Sequence, residues 1–125
     1  MMRFYSVAIM LMCLAQPVKG SELGEIYKVC RAYVEAGFSH QAMGNDAWKG
    51  IACASYVGGV LDVTRTICAG SPDAYTRKIA GVDDGDIDTD AVIQSLVNFA
   101  AQNPQLWGES ALFREWTSIP FPCKR

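Results

Sequence analysis

A chain of 125 residues, half of them hydrophobic, with 11 basic side chains against 13 acidic ones, has room for one domain. That balance argues against nucleic acid as a partner, because the chain carries no net positive charge to set against a phosphate backbone. Five cysteines in so short a chain point away from a reduced cytosol.

The first segment reads as an address. Met1-Met2-Arg3 is a short basic start, Phe4 to Leu14 is apolar apart from Ser6, and Gln16-Pro17 leads into Val18-Lys19-Gly20, where a signal peptidase finds the modest residues it needs. The expectation is a signal peptide over residues 1–20, cut after Gly20, and a helical domain over 21–125. The apolar run is about half of the ~20 residues that a membrane-spanning helix takes. No later segment is read as longer, so no membrane insertion is expected after cleavage. Met12 stands where a lipoprotein signal takes a small residue, which argues against a lipid anchor on Cys13. Cleavage leaves nine basic side chains against 13 acidic ones, a net charge of −4, and four cysteines: Cys30, Cys53, Cys68 and Cys123. An even number in an exported chain implies two disulfides, each contributing roughly 3 to 4 kcal/mol by the loop-entropy model.

Between Ser21 and Gly37, the residues Ile26, Val29, Cys30 and Tyr33 follow the i, i+3, i+4, i+7 rule, with Glu25, Lys28, Arg31 and Glu35 elsewhere. This predicts an amphipathic helix that stops at Gly37. Residues 38–45 read as a connection. Asn45 or Asp46 then caps a second helix, Ala47 to Ile67, apolar or small nearly all the way round and therefore expected in the middle of the fold. Gly58 and Gly59 within it suggest close approach of another backbone, with a kink as the alternative. Residues 69–90 read as loop with one helical turn near Tyr75 to Ile79. Asp88 or Thr89 caps a third helix whose stripe is Val92, Ile93, Leu96, Val97 and Ala100, ending near Asn103 before Pro104. A fourth helix is expected from Pro104, carrying Leu106, Trp107, Ala111, Leu112, Phe113 and Trp116 until Pro120. With no strand-like alternation, the fold class is all-α: a compact four-helix domain with two disulfides.

Helical rise ranks the pairings. Cys53 and Cys68 are 15 residues apart on one helix, about 22 Å, whereas disulfide Cα atoms lie within about 7 Å. Cys30 is seven residues before the end of the first helix and Cys53 seven after the start of the second, so in antiparallel neighbours they share a height. The pairs expected are Cys30 with Cys53 and Cys68 with Cys123.

His40 is the sole histidine, and a thiolate for it to activate is absent if all four cysteines are bridged. No Gly-x-Ser-x-Gly elbow and no Cys-x-x-Cys spacing occurs, so neither a serine nucleophile nor a zinc site is expected. The aspartates at 84, 86, 88 and 90 imitate the start of a calcium loop, but Thr89 stands at the glycine position and Ser95 at the closing glutamate. The reading is therefore a binding protein, not an enzyme, with no metal and no cofactor. Asp83, Asp84, Asp86 and Asp88 form an acidic segment suited to a basic partner. The 38–45 connection with His40 is a second contact candidate. Trp48, Trp107, Trp116 and Tyr75 read as core or as interface anchors, with core favoured for Trp107 and Trp116.

Taken in order, Cys53-Ala-Ser-Tyr56-Val-Gly-Gly59-Val60-Leu-Asp62, then Cys68, Asn103-Pro104 and Phe121-Pro122-Cys123 resemble the Tai/Rap family of type VI secretion immunity proteins. The similarity spans most of residues 23–123. It implies a small periplasmic helical protein, often a homodimer, that protects a bacterium by binding a peptidoglycan amidase effector. Its expected mechanism is steric: a rigid cross-linked body presents a loop that plugs the active-site cleft. A small periplasmic acid-stress chaperone is the alternative, sharing size, helices and disulfide but exposing apolar surface.

Overall fold

A computed structural model of the chain describes residues 22–82 and 87–125. The expected signal peptide, and Asp83, Asp84 and Asp86 of the acidic segment, lie outside the described residues.

Helix α1 (Leu23–Glu35) turns Leu23, Ile26, Tyr27, Cys30 and Tyr33 inward. Its charges point out, where Glu25 pairs with Lys28 (3.9 Å) and Arg31 with Glu35 (2.8 Å). Ala36 caps it, and the chain reverses through Gly37 (φ 65°) and Phe38 (φ 59°), whose N–H groups donate to Val34 and Tyr33 carbonyls. Phe38 tolerates the left-handed conformation while its ring meets Tyr33 edge-on at 5.5 Å.

The 38–45 connection is helical rather than irregular. Ser39 accepts from the Ala42 N–H and so caps α2 (His40–Met43), which passes through a 3-10 turn, Gly44–Asp46, into α3 (Ala47–Gly70). Because the chain is already helical at residue 46, Asp46 has no orphan amides to cap and its carboxylate pairs with Lys49 at 3.7 Å. The combined run His40–Gly70 is 31 residues long and, by length and composition alone, apolar enough to cross a membrane, contrary to the reading that no later segment is. Here its inner side carries Cys53, Val57, Val60, Leu61, Thr64 and Cys68 into the core.

Helix α4 (Ala74–Ala80) is a true helix where a single turn was expected, because Asp73 caps it by accepting from the Thr76 N–H (2.8 Å). The Thr76 hydroxyl and then its amide hold the Asp73 carboxyl below the usual 3.8. Helix α5 (Thr89–Gln102) buries Val92, Ile93, Leu96, Val97 and Ala100 as its stripe predicts. Asp88 caps it and Asn103 ends it, donating from its amide to the Phe99 carbonyl (2.8 Å).

The expected fourth helix does not form. After a 3-10 turn, Pro104–Leu106, the chain is irregular until the single turn α6 (Glu115–Ser118). The carbonyls that a continuing helix would use are taken: Trp107 accepts from the Gly24 N–H (2.9 Å) and Glu109 from the Leu23 N–H (2.8 Å). These are the orphan amides at the start of α1, satisfied by a neighbouring segment instead of a side-chain cap. Gly24 makes the approach possible, since a Cβ there would sit 2.9 Å from the Trp107 Cβ. Among the described residues the helices of seven residues or more are therefore α1, α3, α4 and α5, with no strand beyond an isolated antiparallel bridge between Glu22 and Ser110.

One cluster forms the core, joining α1, α3 and α5 with Val82, Ala111 and Trp116. The disulfides are Cys30–Cys53 and Cys68–Cys123, with Cα separations of 4.9 and 5.7 Å. They belong to an oxidising compartment. The outer side of α3 is not in the middle of the fold: Trp48, Ile51 and Val63 on it are more than half exposed. Among the described residues nothing lies within 4 Å of where a Cβ on Gly58 or Gly59 would stand, so close approach does not explain them. Each therefore carries the helix cost of glycine without a packing return. Gly58→Ala and Gly59→Ala are each expected to raise stability by up to about 1 kcal/mol in urea unfolding. A loss at either position would show that its open side is occupied.

Candidate docking site

Three elements converge at one end of the molecule. Ile67 from the last turns of α3, Tyr75, Thr76 and Ile79 from α4, and Phe113 from the irregular segment line an apolar depression of about 250 Å³. On the other flank of Tyr75 and Phe113, Lys78, Glu115 and Ser118 border a second, more polar one of about 240 Å³. Tyr75 is 71% exposed and Phe113 46%, so two aromatic rings stand at the mouth of an apolar groove. Rigid rings with little rotamer entropy are the common anchors of protein interfaces.

Phe113 has φ 55°, a left-handed conformation that costs an aromatic residue roughly 1 to 2 kcal/mol. Strain at an exposed aromatic is a pointer to a binding role, since folding alone gains little from holding it there. Leu112 beside it borders a shallow groove on the outer side of α3 with Ser55, Tyr56, Gly59, Val60 and Val63, about 370 Å³ in volume. The Tyr56 hydroxyl under that groove has no hydrogen-bond partner among the described residues, and burial pushes its phenol up.

The site is clamped from below. The Arg77 guanidinium donates to the Ser71 carbonyl (2.6 Å), holding α4 to its own entry turn. The Thr117 hydroxyl donates to the Ala80 carbonyl (3.3 Å), and the Val82 N–H donates to the Phe121 carbonyl. Gly81 (φ 67°) crosses so closely that a Cβ would lie 2.5 Å from the Ser118 Cα. Cys68–Cys123 closes the ring just beyond Ile67.

Of the residues singled out in the sequence, Tyr75 belongs to this site and Trp48 is exposed elsewhere, on α3. Trp116 is core at 1% exposure. Trp107 is half-buried, tilted against Tyr27 at 5.0 Å, with its indole N–H donating to the Ala100 carbonyl. Asp88 is exposed but engaged as the α5 cap, accepting from the Asp90 N–H (3.1 Å). His40 lies on α2, exposed and stacked on the Tyr33 ring at 4.9 Å. No hydrogen bond or ion pair joins it to another side chain among the described residues. Neither His40 nor Asp88 lines the depressions at Tyr75 and Phe113. Phe113 was read as part of a helix stripe and missed. The available signal was the run Ala111-Leu112-Phe113, three consecutive apolar residues that no single helix face buries together.

No protein-family model, no curated protein and no solved structure matches the chain.

Proposed function

We propose that the protein is a periplasmic immunity protein that binds a type VI secreted peptidoglycan amidase and blocks its active-site cleft, with no chemistry of its own. The observation that carries the reading is the groove at Tyr75 and Phe113, an apolar docking edge held rigid by a disulfide and by the Ala80–Val82 crossing. The ordered motif from Cys53 to Cys123, the leader-like residues 1–20 and the two disulfides support it from the sequence side. Rigidity matters because a surface already ordered loses less entropy on binding. The acidic residues Asp83, Asp84, Asp86 and Asp88 would then meet basic groups around the cleft, and a second copy of the chain remains part of the proposal.

The test is calorimetry against type VI secreted peptidoglycan amidases. Tyr75→Ala and Phe113→Gly should each weaken binding at least about tenfold, as loss of an aromatic anchor does. Phe113→Gly is the sharper variant, because relief of the left-handed strain offsets the lost packing and leaves stability near that of the parent. Unchanged affinity in both would remove the groove from the interface. Replacing Asp83, Asp84, Asp86 and Asp88 by asparagine, which keeps a cap on α5, tests the acidic segment separately.

The exposed apolar side of α3 favours a second reading, a small acid-stress chaperone. Protection of a client protein from aggregation at acid pH, with dye binding by the chaperone itself, would select it.

A further inference from the structure

We infer that Cys68–Cys123 is a reducible latch on the groove between α4 and Phe113, and that Cys30–Cys53 is a permanent brace. The inference goes beyond the amidase reading and does not depend on it. The two bridges differ in access. Cys30 and Cys53 are both fully buried between α1 and α3, so a reductant reaches them only when the core opens. Cys68 is buried too, but Cys123 sits partly exposed on the non-helical segment that follows α6. Exchange at a disulfide requires a thiolate to approach one sulfur along the bond, so accessibility ranks the two.

What the second bridge holds is specific. The segment it anchors supplies the Phe121 carbonyl to the Val82 N–H, passes that carbonyl close to Gly81, and places Arg125 on the Ala69 carbonyl at the end of α3. Val82 itself is fully buried at φ 59°, a strained conformation for a β-branched residue that persists only while its surroundings enforce it. Once the segment is released, the Val82 N–H loses its acceptor and Val82 relaxes, the end of α4 keeps its contacts with Thr117 and Ser118 of α6 but loses those beyond them, and Tyr75 and Ile79 face Phe113 at a less fixed spacing.

The step is ordinary exchange with a dithiol, the class of reductant that thiol-disulfide oxidoreductases present. One thiolate attacks the Cys123 sulfur, the bond electrons leave on the Cys68 sulfur, and that thiolate takes a proton. The second thiol of the reductant then displaces Cys123 as a thiol. The reductant ends as a disulfide, two electrons poorer, and the protein holds two thiols.

The experiment uses the whole oxidised protein and graded dithiothreitol, with alkylation and peptide mapping for the thiols and hydrogen exchange for the backbone. Cys68 and Cys123 should become alkylated at a reductant concentration at least about tenfold below that needed for Cys30 and Cys53. At that point exchange over residues 74–82 should rise, most at the Val82 amide, while α1 and α5 stay protected. Opening of both bridges together, or of Cys30–Cys53 first, overturns the inference. So does selective opening that leaves exchange over 74–82 as in the oxidised protein. No partner is present in this measurement, so its failure would leave the amidase reading where it stands.

Discussion

Replacing Cys30 and Cys53 together with alanine is expected to lower stability by about 3 to 5 kcal/mol, against a total of roughly 5 to 15 for a small domain. The bridge closes a sequence separation of 23 residues, for which the loop-entropy model alone gives about 3 kcal/mol. Both sulfurs lie at zero exposure in the contact between α1 and α3, so their removal also leaves a gap in close-packed surroundings. Cys68–Cys123 closes a longer separation, 55 residues, and the same model would rank it higher at about 4 kcal/mol. The ranking inverts in behaviour because the segment ending at Cys123 can leave its seat while α1, α3 and α5 remain packed. Its loss therefore shows as local opening before it shows as global unfolding. Urea unfolding followed by circular dichroism reads the difference. A loss below about 1 kcal/mol for the Cys30→Ala, Cys53→Ala variant would mean that the pair does not brace the helices.

Legibility in the sequence follows where a local signal and the tertiary environment agree. The stripes of α1 and α5 and the Cys30–Cys53 pairing are of this kind, because a helix of fixed rise places its apolar and sulfur-bearing positions, and Cys68–Cys123 then follows as the pair left over. Val29 and Tyr27 exchange roles in α1, the former only partly buried and the latter buried, since the ring of Trp107 covers the Tyr27 side. The segment after Pro104 shows the opposite case. Its apolar spacing suits a helix, but the free amides at the start of α1 compete for the carbonyls of Trp107 and Glu109, and two long-range bonds win over a helix not yet nucleated. That single miss propagates. An apolar α3 reads as a fully enclosed helix only if enough helices surround it, and with 107–114 irregular its outer side from Trp48 to Val63 stays open. The candidate groove escapes the sequence for the same reason: Phe113, expected within the fourth helix, is released to the surface by the break.

Trp116→Ala should be among the most damaging single substitutions in the chain, costing about 3 to 5 kcal/mol and lowering the melting temperature on the order of 15 °C. Trp116 heads the largest fully buried side chains, at 1% exposure. Helix α6 is one turn long and has no stability of its own, so it is held by what this indole makes. The indole N–H donates to the Ala111 carbonyl (2.9 Å), and the Trp116 carbonyl accepts from the Ser95 hydroxyl of α5 (2.8 Å). The first bond closes the 111–116 stretch into a loop with Phe113 at its outer side, and the second ties that loop to the core. Truncation empties the pocket and leaves the Ala111 carbonyl without its donor, a further penalty of about 1 kcal/mol or more that no water easily relieves in a buried site. Trp116→Phe keeps most of the volume and loses only the bond, so it should cost about 1 to 2 kcal/mol. If both variants fall within about 0.5 kcal/mol of the parent in urea unfolding, the loop is positioned by something else. If the groove docks an amidase as proposed, Trp116→Phe, still folded, should also bind it more weakly than the parent, because the ring of Phe113 is only as well placed as the hydrogen bond that shapes its loop.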